Sequence, residues 1–255
     1  MTPNRISLAV AAAAVLAFLA LPFVGLALST DWSTLGFTTG DAGAIRISLT
    51  CTAISLAIII ALGTPLAYWL AHSSFRGKAV VEMLVLLPLL TPPLAMGILL
   101  ATLYGPYSYI GRALEAVGII LTNSPAAFVL AQVYGASPYY VVTARAAFEG
   151  VNPELEEIAR TLGKSRVATF RLVTLPLAAL GLAAGVGVAW VRALGEFGIV
   201  LVVAYFPQGI PVKLWVNLQD IGIGAVYPLL WLFFLIAMPL PLVLGTVSRR
   251  RVRVT

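Results

Sequence analysis

The sequence predicts an all-α integral membrane protein, with six transmembrane helices and one water-facing helix–turn–helix. Three observations predict it. Hydrophobic residues make up 60% of the 255 positions and charged residues only 10%, against about 25% charged in soluble domains. Mean hydropathy is +1.00. Six stretches reach the roughly 20 apolar residues that a helix needs to cross a bilayer: 6–28, 45–71, 79–104, 125–148, 177–203 and 226–247. The charges gather instead in 149–176, between the fourth and fifth stretches.

The first stretch follows Arg5 and is rich in alanine, as a signal peptide would be. It is long for that role and no A-x-A site follows, so it reads as an uncleaved span. The second holds Cys51, the single cysteine, which cannot form an internal disulfide. His72 at its end has no second metal ligand nearby and reads as structural. The third contains Pro88, Thr91, Pro92 and Pro93. Kinked packing is one reading, because neighbouring helices re-satisfy freed carbonyls. The other is a broken helix that hinges and lines a path, with Thr91 and Pro92 as pathway candidates.

The fourth stretch is the least apolar, with Gln132, Ser137 and Thr143 inside it. The fifth is lined with Ala178, Gly181, Ala184, Gly185 and Gly187, small residues that let backbones approach closely, as at the centre of a bundle or dimer. It then carries Arg192 and Glu196, four apart on one helix face and able to pair. Charges at membrane depth are costly and face a cavity or a partner. Either they form a neutralised pair that fixes packing, or Arg192 lends positive potential to an anion pathway while Glu196 orients it. Gly195 and Gly198 permit a bend there. In the segment 204–225, Ile210, Leu214, Trp215, Leu218 and Ile221 share a face, as in an interfacial helix. It reads as a cover lying on lipid, or as a lip that meets an external partner.

Orientation follows from Lys and Arg placement. With the N-terminus inside, Arg5, Arg76, Lys78, Arg145, Arg160, Lys164, Arg166, Arg171, Arg249, Arg250, Arg251 and Arg253 are cytoplasmic. Only Arg46, Arg112 and Lys213 are outside. Both termini and the loop 149–176 are then cytoplasmic, and residues 1–255 form a single multi-pass domain in the cytoplasmic (inner) membrane.

Within the loop, Asn152 suits an N-cap, Pro153 the first helical position, and Glu154, Glu156 and Glu157 the positive end of the helix dipole. Gly163 is a natural stop, and Ser165 can start a second short helix running to Leu175 and Pro176. One side is charged and the other apolar, through Leu155, Ile158, Ala159, Leu162, Val167 and Phe170.

Several chemistries find no support. Lys164-Ser165 after Gly163 resembles the tail of a P-loop, but the glycine that motif needs is Ile158. There is no His/Cys metal cluster, no nucleophile elbow, and no means of powering transport within the chain. No cofactor or metal is expected. Residues 156–167 also read like a DNA-binding helix–turn–helix, yet they lie between membrane helices with no third helix to build a core, so no nucleic acid is expected. An ion-driven secondary transporter is the other alternative, and it wants inverted repeats and midplane ionisable groups that are missing apart from Arg192 and Glu196.

The loop resembles the cytoplasmic "EAA" loop of permease subunits of bacterial and archaeal ABC importers: Glu-Ala-Ala, three residues, Gly, nine residues, then Ile-x-Leu-Pro. Here the pattern is Glu157-Ile158-Ala159, then Gly163, then Val173-Thr174-Leu175-Pro176. Ile158 and Val173 depart from the family letters but stay apolar. The resemblance implies a type I (MetI-like) importer permease and extends over nearly the whole chain. It implies that Glu157, Ala159, Gly163, Leu175 and Pro176 belong to a loop docked on a cytoplasmic ATP-binding subunit. Two such subunits, a second permease copy (a homodimer) and an external binding protein complete the machine. Arg192 to Gly198 is similar to a fifth-span signature of oxyanion permeases. The segment after it is closer to the molybdate/tungstate branch than to the sulfate/thiosulfate one.

Overall fold

The computed structural model describes residues 5–33 and 35–252. Arg253, and the side chains of Arg5 and Arg249 to Arg251, which enter the orientation argument, lie outside that description. The regular structure of the described residues is all helical, without strands. In order they form α1 (Arg5–Ser29), α2 (Asp41–His72), α3 (Lys78–Leu90), α4 (Pro93–Tyr104), α5 (Tyr109–Ala116) and α6 (Pro125–Glu149). The loop contributes α7 (Pro153–Thr161) and α8 (Arg166–Thr169), with a π-turn at Phe170–Thr174. Then come α9 (Leu175–Leu194), α10 (Gly198–Val203), α11 (Ile210–Asp220), α12 (Tyr227–Ala237) and α13 (Pro239–Val252).

Four stretches are each long and apolar enough to cross a membrane unaided: 7–29, 41–72, 166–194 and 223–246. A fifth is added if α3 and α4, which meet at 109°, count as one span. The expected count of six is not reached by this measure. The difference lies in α6, which has 25 residues but is diluted by Gln132, Ser137, Thr143, Arg145 and three tyrosines.

That polarity fits its place. α6 is the central helix, packed along α2 and α9 around Ile59, Ala67, Leu70, Tyr140, Ala144 and Phe148. A second cluster joins Cys51, Met96, Leu100, Phe128, Ile199 and Val212 from α2, α4, α6, α10 and α11. Small residues set the spacing. A Cβ on Gly181 would sit 2.4 Å from Ala147, and one on Gly63 2.8 Å from the Tyr140 ring. By contrast α1 leaves most of its surface exposed. It touches the rest through Phe23 against Phe234 and through Thr30, whose hydroxyl accepts from Trp231 Nε1 at 3.0 Å.

The third expected span is broken rather than kinked, for a local reason. Pro92 and Pro93 lack N–H groups, and a residue before proline avoids the helical region. Thr91 (ψ 128°) and Pro92 (ψ 136°) are accordingly extended. The fifth expected span breaks at Gly195. It also starts earlier than expected, because Ser165 caps a helix that runs on through Pro176. Leu175 N–H donates to Phe170 O, five residues back, and this π-type register carries the helix past a proline that has no donor.

The two breaks pack on each other. A Cβ on Gly198 would lie 2.6 Å from Pro93 Cβ, and one on Gly97 2.8 Å from Val202 Cβ. Gly198→Ala should therefore overpack α4 against α10 and cost about 1–3 kcal/mol. It should lower the unfolding temperature in detergent, whereas Gly25→Ala on open α1, with nothing within 4 Å, should not.

Candidate functional site

The loop is organised by backbone capping. Asn152 Oδ1 accepts from Glu154 N–H at 3.0 Å, and Ser165 Oγ from Ala168 N–H at 3.2 Å. Between them Gly163 adopts φ +81°. Its N–H donates to Arg160 O at 3.0 Å, and Lys164 N–H to Ala159 O at 3.1 Å. This is the paired carbonyl closure of a helix that ends on a left-handed residue. Ala159 is thus buried and takes the closing bond, while Glu157 is exposed. Leu175 and Pro176 open α9 rather than shape the bend.

The loop's apolar residues divide. Ala159 is buried and Phe170 packs on Tyr68 of α2 and Phe148 of α6, whereas Leu155, Ile158, Leu162 and Val167 are exposed, Leu162 at 75%. Inward-facing Glu156 is buried, accepts a short hydrogen bond from Thr174 Oγ1 and pairs with His72 Nε2 at 3.3 Å. The structural reading of His72 thereby gains a partner. Beside it Arg145 bridges Glu82 at 2.8 Å and Glu149 at 2.7 Å, tying α3 to the end of α6.

At the break in α9, Arg192 Nη1 lies 2.6 Å from Glu196 Oε2, so the two pair as their spacing predicts. Glu196 is fully buried, and its Oε1 accepts from Ile199 N–H at 3.0 Å, closing the start of α10. Room for the carboxylate comes from Gly135, where a Cβ would lie 2.5 Å from Oε2. The Arg192 guanidinium lies over the Tyr139 ring at 5.7 Å. It borders a cavity of about 640 Å³ together with Gly195, Gly187, Val188 and Pro241. Thr91 and Pro92 do not line that cavity. They sit at the neighbouring break, where Thr91 gives both its N–H (3.0 Å) and its hydroxyl (2.7 Å) to Leu87 O.

Gln132 escaped the sequence reading as a functional group. Fully buried, it donates from Nε2 to Thr52 Oγ1 at 2.8 Å and to Ala193 O at 2.9 Å, and accepts from Ser55 Oγ at 2.8 Å. One amide so ties α2, α6 and the broken end of α9. A polar residue alone in an apolar helix was the available signal. At the N-terminal end of α2, buried Asp41 accepts from Thr38 and, at 3.1 Å, from Asn217 Nδ2 of α11. Of the expected face, Trp215 and Leu218 of α11 and Ile221 just after it are exposed, Leu214 is half-buried, and Ile210 is buried with Lys213 and Asn217. Among the described residues no three His, Cys, Asp or Glu side chains converge as metal ligands.

Residues 63–253 match the family of binding-protein-dependent transport system inner membrane components. The chain belongs to that family. It is a transport component rather than an enzyme, and the family works with a separate binding protein. Among the permease's relatives, a probable molybdenum ABC transporter permease protein of Haloferax volcanii is 46% identical over 71% of this chain, although the match spans only 66% of that protein. A molybdenum transport system permease protein of Mycobacterium tuberculosis is 38% identical over 76% of this chain and 74% of its own length. The molybdate/tungstate transport system permease protein of Pyrococcus furiosus is 35% identical over 72% and 69%. Solved structures share the fold at low identity. A bacterial alginate ABC transporter superimposes with a TM-score of 0.75 over 96% of this chain and 93% of its own, at 19% identity. The MetNI methionine transporter gives 0.63 over 82% and 94%, at 18%.

Gln132→Leu should strand the Ala193 carbonyl, Thr52 and Ser55 in the permease interior. A buried group without its partner costs about 1–3 kcal/mol, so the thermal midpoint in detergent should fall. Gln132→Glu, which cannot donate to Ala193 O when ionised, should fare no better.

Proposed function

We propose that this permease is the membrane-spanning subunit of an ATP-driven importer for molybdate or tungstate. The observation that carries the reading is the set of similar permeases from three organisms, each named for molybdenum, molybdate or tungstate. In this reading two copies of the chain enclose the path, and two cytoplasmic ATP-binding subunits drive it. An external oxyanion-binding protein delivers the solute, and both termini lie in the cytoplasm.

The loop 149–176 is the docking element. Leu155, Ile158, Leu162 and Val167 supply an apolar surface of the kind that fills a hydrophobic groove. Glu157 stands exposed beside them, Ala159 and Gly163 set the bend, and Leu175 and Pro176 join it to the fifth span. Closure of the ATP-binding subunits then draws the two docked loops together and rocks the permease between inward- and outward-open states. Thr91, Pro92, Gly195 and the Arg192–Glu196 pair form the pathway elements. They combine two facing helix breaks with a cation beside a cavity, and Glu196 holds that cation in place.

Three experiments test this reading. In proteoliposomes containing the complete complex, molybdate uptake should be suppressed by excess tungstate and not by sulfate. Suppression by sulfate alone would move the assignment to the sulfate/thiosulfate branch. Gly163→Pro forces φ near −65° where the bend needs +81°. The protein should insert normally while ATP hydrolysis ceases to respond to the loaded binding protein. Hydrolysis that still responds would sink the docking assignment. For the pair, Arg192→Ala leaves a buried carboxylate uncompensated at about 3–5 kcal/mol and confounds folding with flux. The double variant Arg192→Met/Glu196→Gln avoids that, and should fold yet transport about tenfold more slowly. Unchanged flux would make the pair packing alone.

A further inference from the structure

The docking reading leaves one question open: how motion of α7 reaches the membrane helices. Along the chain α7 is joined to its neighbours through a glycine at each end, Gly150 before Asn152 and Gly163 after Leu162. Neither glycine has a side chain to brace the joint against the membrane helices. A stiffer path must therefore run through side chains on the buried face of α7. The buried residues of α7 are Ala159 and one charged group, Glu156, with Arg160 beside it at the rim of the same cavity. The Glu156 carboxylate meets two spans at once. It accepts from Thr174 Oγ1, at the foot of α9, and lies 3.3 Å from His72 Nε2, at the last residue of α2. The imidazole is itself fixed, with Nδ1 3.0 Å from Tyr68 O and its ring 4.2 Å from the Tyr68 ring.

What lies beyond His72 gives the contact its reach. α2 is a continuous helix of 32 residues, about 48 Å long at 1.5 Å per residue. Its far end, Asp41, is buried and bonded to Asn217 of α11, and Ser48 Oγ accepts from Ile210 N–H at 2.8 Å. One unbroken helix, its freed carbonyl near Pro65 held among packed neighbours, is thus fastened at one end to the docking helix and at the other to α11.

We propose that Glu156 is the positioning residue through which the docked loop moves the membrane body: its carboxylate latches α7 to α2 and α9, and α2 carries the displacement to α11. The latch rests on the docking reading and deepens it. Glu156 faces away from the docking surface, so its loss should leave subunit binding intact while breaking transmission.

The test uses the complete complex in liposomes, with molybdate as the transported probe. ATP hydrolysis is measured with and without loaded binding protein. Glu156→Ala should retain the ATP-binding subunit and basal hydrolysis, while stimulated hydrolysis and uptake fall about tenfold. Glu156→Gln, whose amide oxygen still accepts from Thr174, should recover most of both. A merely structural role would not separate stimulated from basal turnover. Wild-type stimulation and uptake in Glu156→Ala would overturn the latch. So would loss of the ATP-binding subunit, which would place Glu156 in the docking contact itself. Should Glu156→Ala fail to insert, Thr174→Val decides: stimulation lost supports the latch and stimulation kept overturns it. A wild-type complex that is stimulated but takes up no molybdate refutes only the substrate assignment, and a Gly163→Pro complex that stays coupled refutes docking.

Discussion

In hydrocarbon every backbone N–H and C=O must find a partner within the protein, at several kcal/mol for each failure. This chain nevertheless interrupts two of its membrane helices. The pairing of the freed groups decides where the rest must sit. Thr91 turns its own N–H and hydroxyl back onto Leu87 O. Glu196 covers the Ile199 N–H, and Gln132 reaches across to Ala193 O. The last two requirements put α6 at the centre, since it supplies Gln132 and also the glycine, Gly135, that makes room for Glu196. The two breaks then seat on each other through Gly198 and Pro93. An element that hinges in a membrane needs its loose groups satisfied by side chains, because side chains can follow a movement that a helical ladder cannot.

Apart from the bond between the Thr64 and Tyr140 hydroxyls, most other polar partners gather at the two ends of the α2–α6–α9 core. At the end that carries the loop 149–176 stand Glu156, His72 and Thr174, and the Glu82–Arg145–Glu149 bridge. At the far end stand Asp41, Thr38 and Asn217. Between them the helices meet largely through alanine, glycine and ring faces, close enough that a Cβ on Gly181 or Gly63 would clash. Close packing of this kind resists bending, and the polar ends fix orientation. The core is therefore suited to move as one body, with flexibility left to the breaks in α3–α4 and α9–α10.

Features decided within a few residues were legible in the sequence. The Asn152 cap, the Gly163 bend, the Ser165 start and the Arg192–Glu196 pair all follow from spacing alone, and Pro92-Pro93 made a break one of two readings. What resisted reading depended on which way a face turns. The apolar stripe of α7 would face inward in an ordinary amphipathic helix, yet Leu155 and Ile158 face outward and Glu156 faces in. Nothing within α7 distinguishes Glu156 from Glu157, because the partners of Glu156, Thr174 and His72, lie outside that helix. Gln132 looked like a weakness of its span for the same reason: its three partners come from two other helices. The merging of the loop's second helix into α9 was hidden by Pro176, whose usual effect the π-turn at Phe170–Thr174 cancels.

The inverted amphipathicity of α7 has a physical rationale. Exposed apolar surface on a water-facing element is a liability unless something covers it, and here four large apolar side chains lie within thirteen residues of one another on the loop. Apolar contact is non-directional, so a partner that grips there can press without fixing the angle of the helix. Hydrogen bonds and ion pairs are directional and fail steeply when misaligned. Placing the carboxylate inward and the apolar residues outward therefore gives a tolerant grip toward the soluble side and a rigid fastening toward the membrane. In the proposed docking, the reverse arrangement would hold the partner at a fixed angle and let the loop slip on the helices behind it.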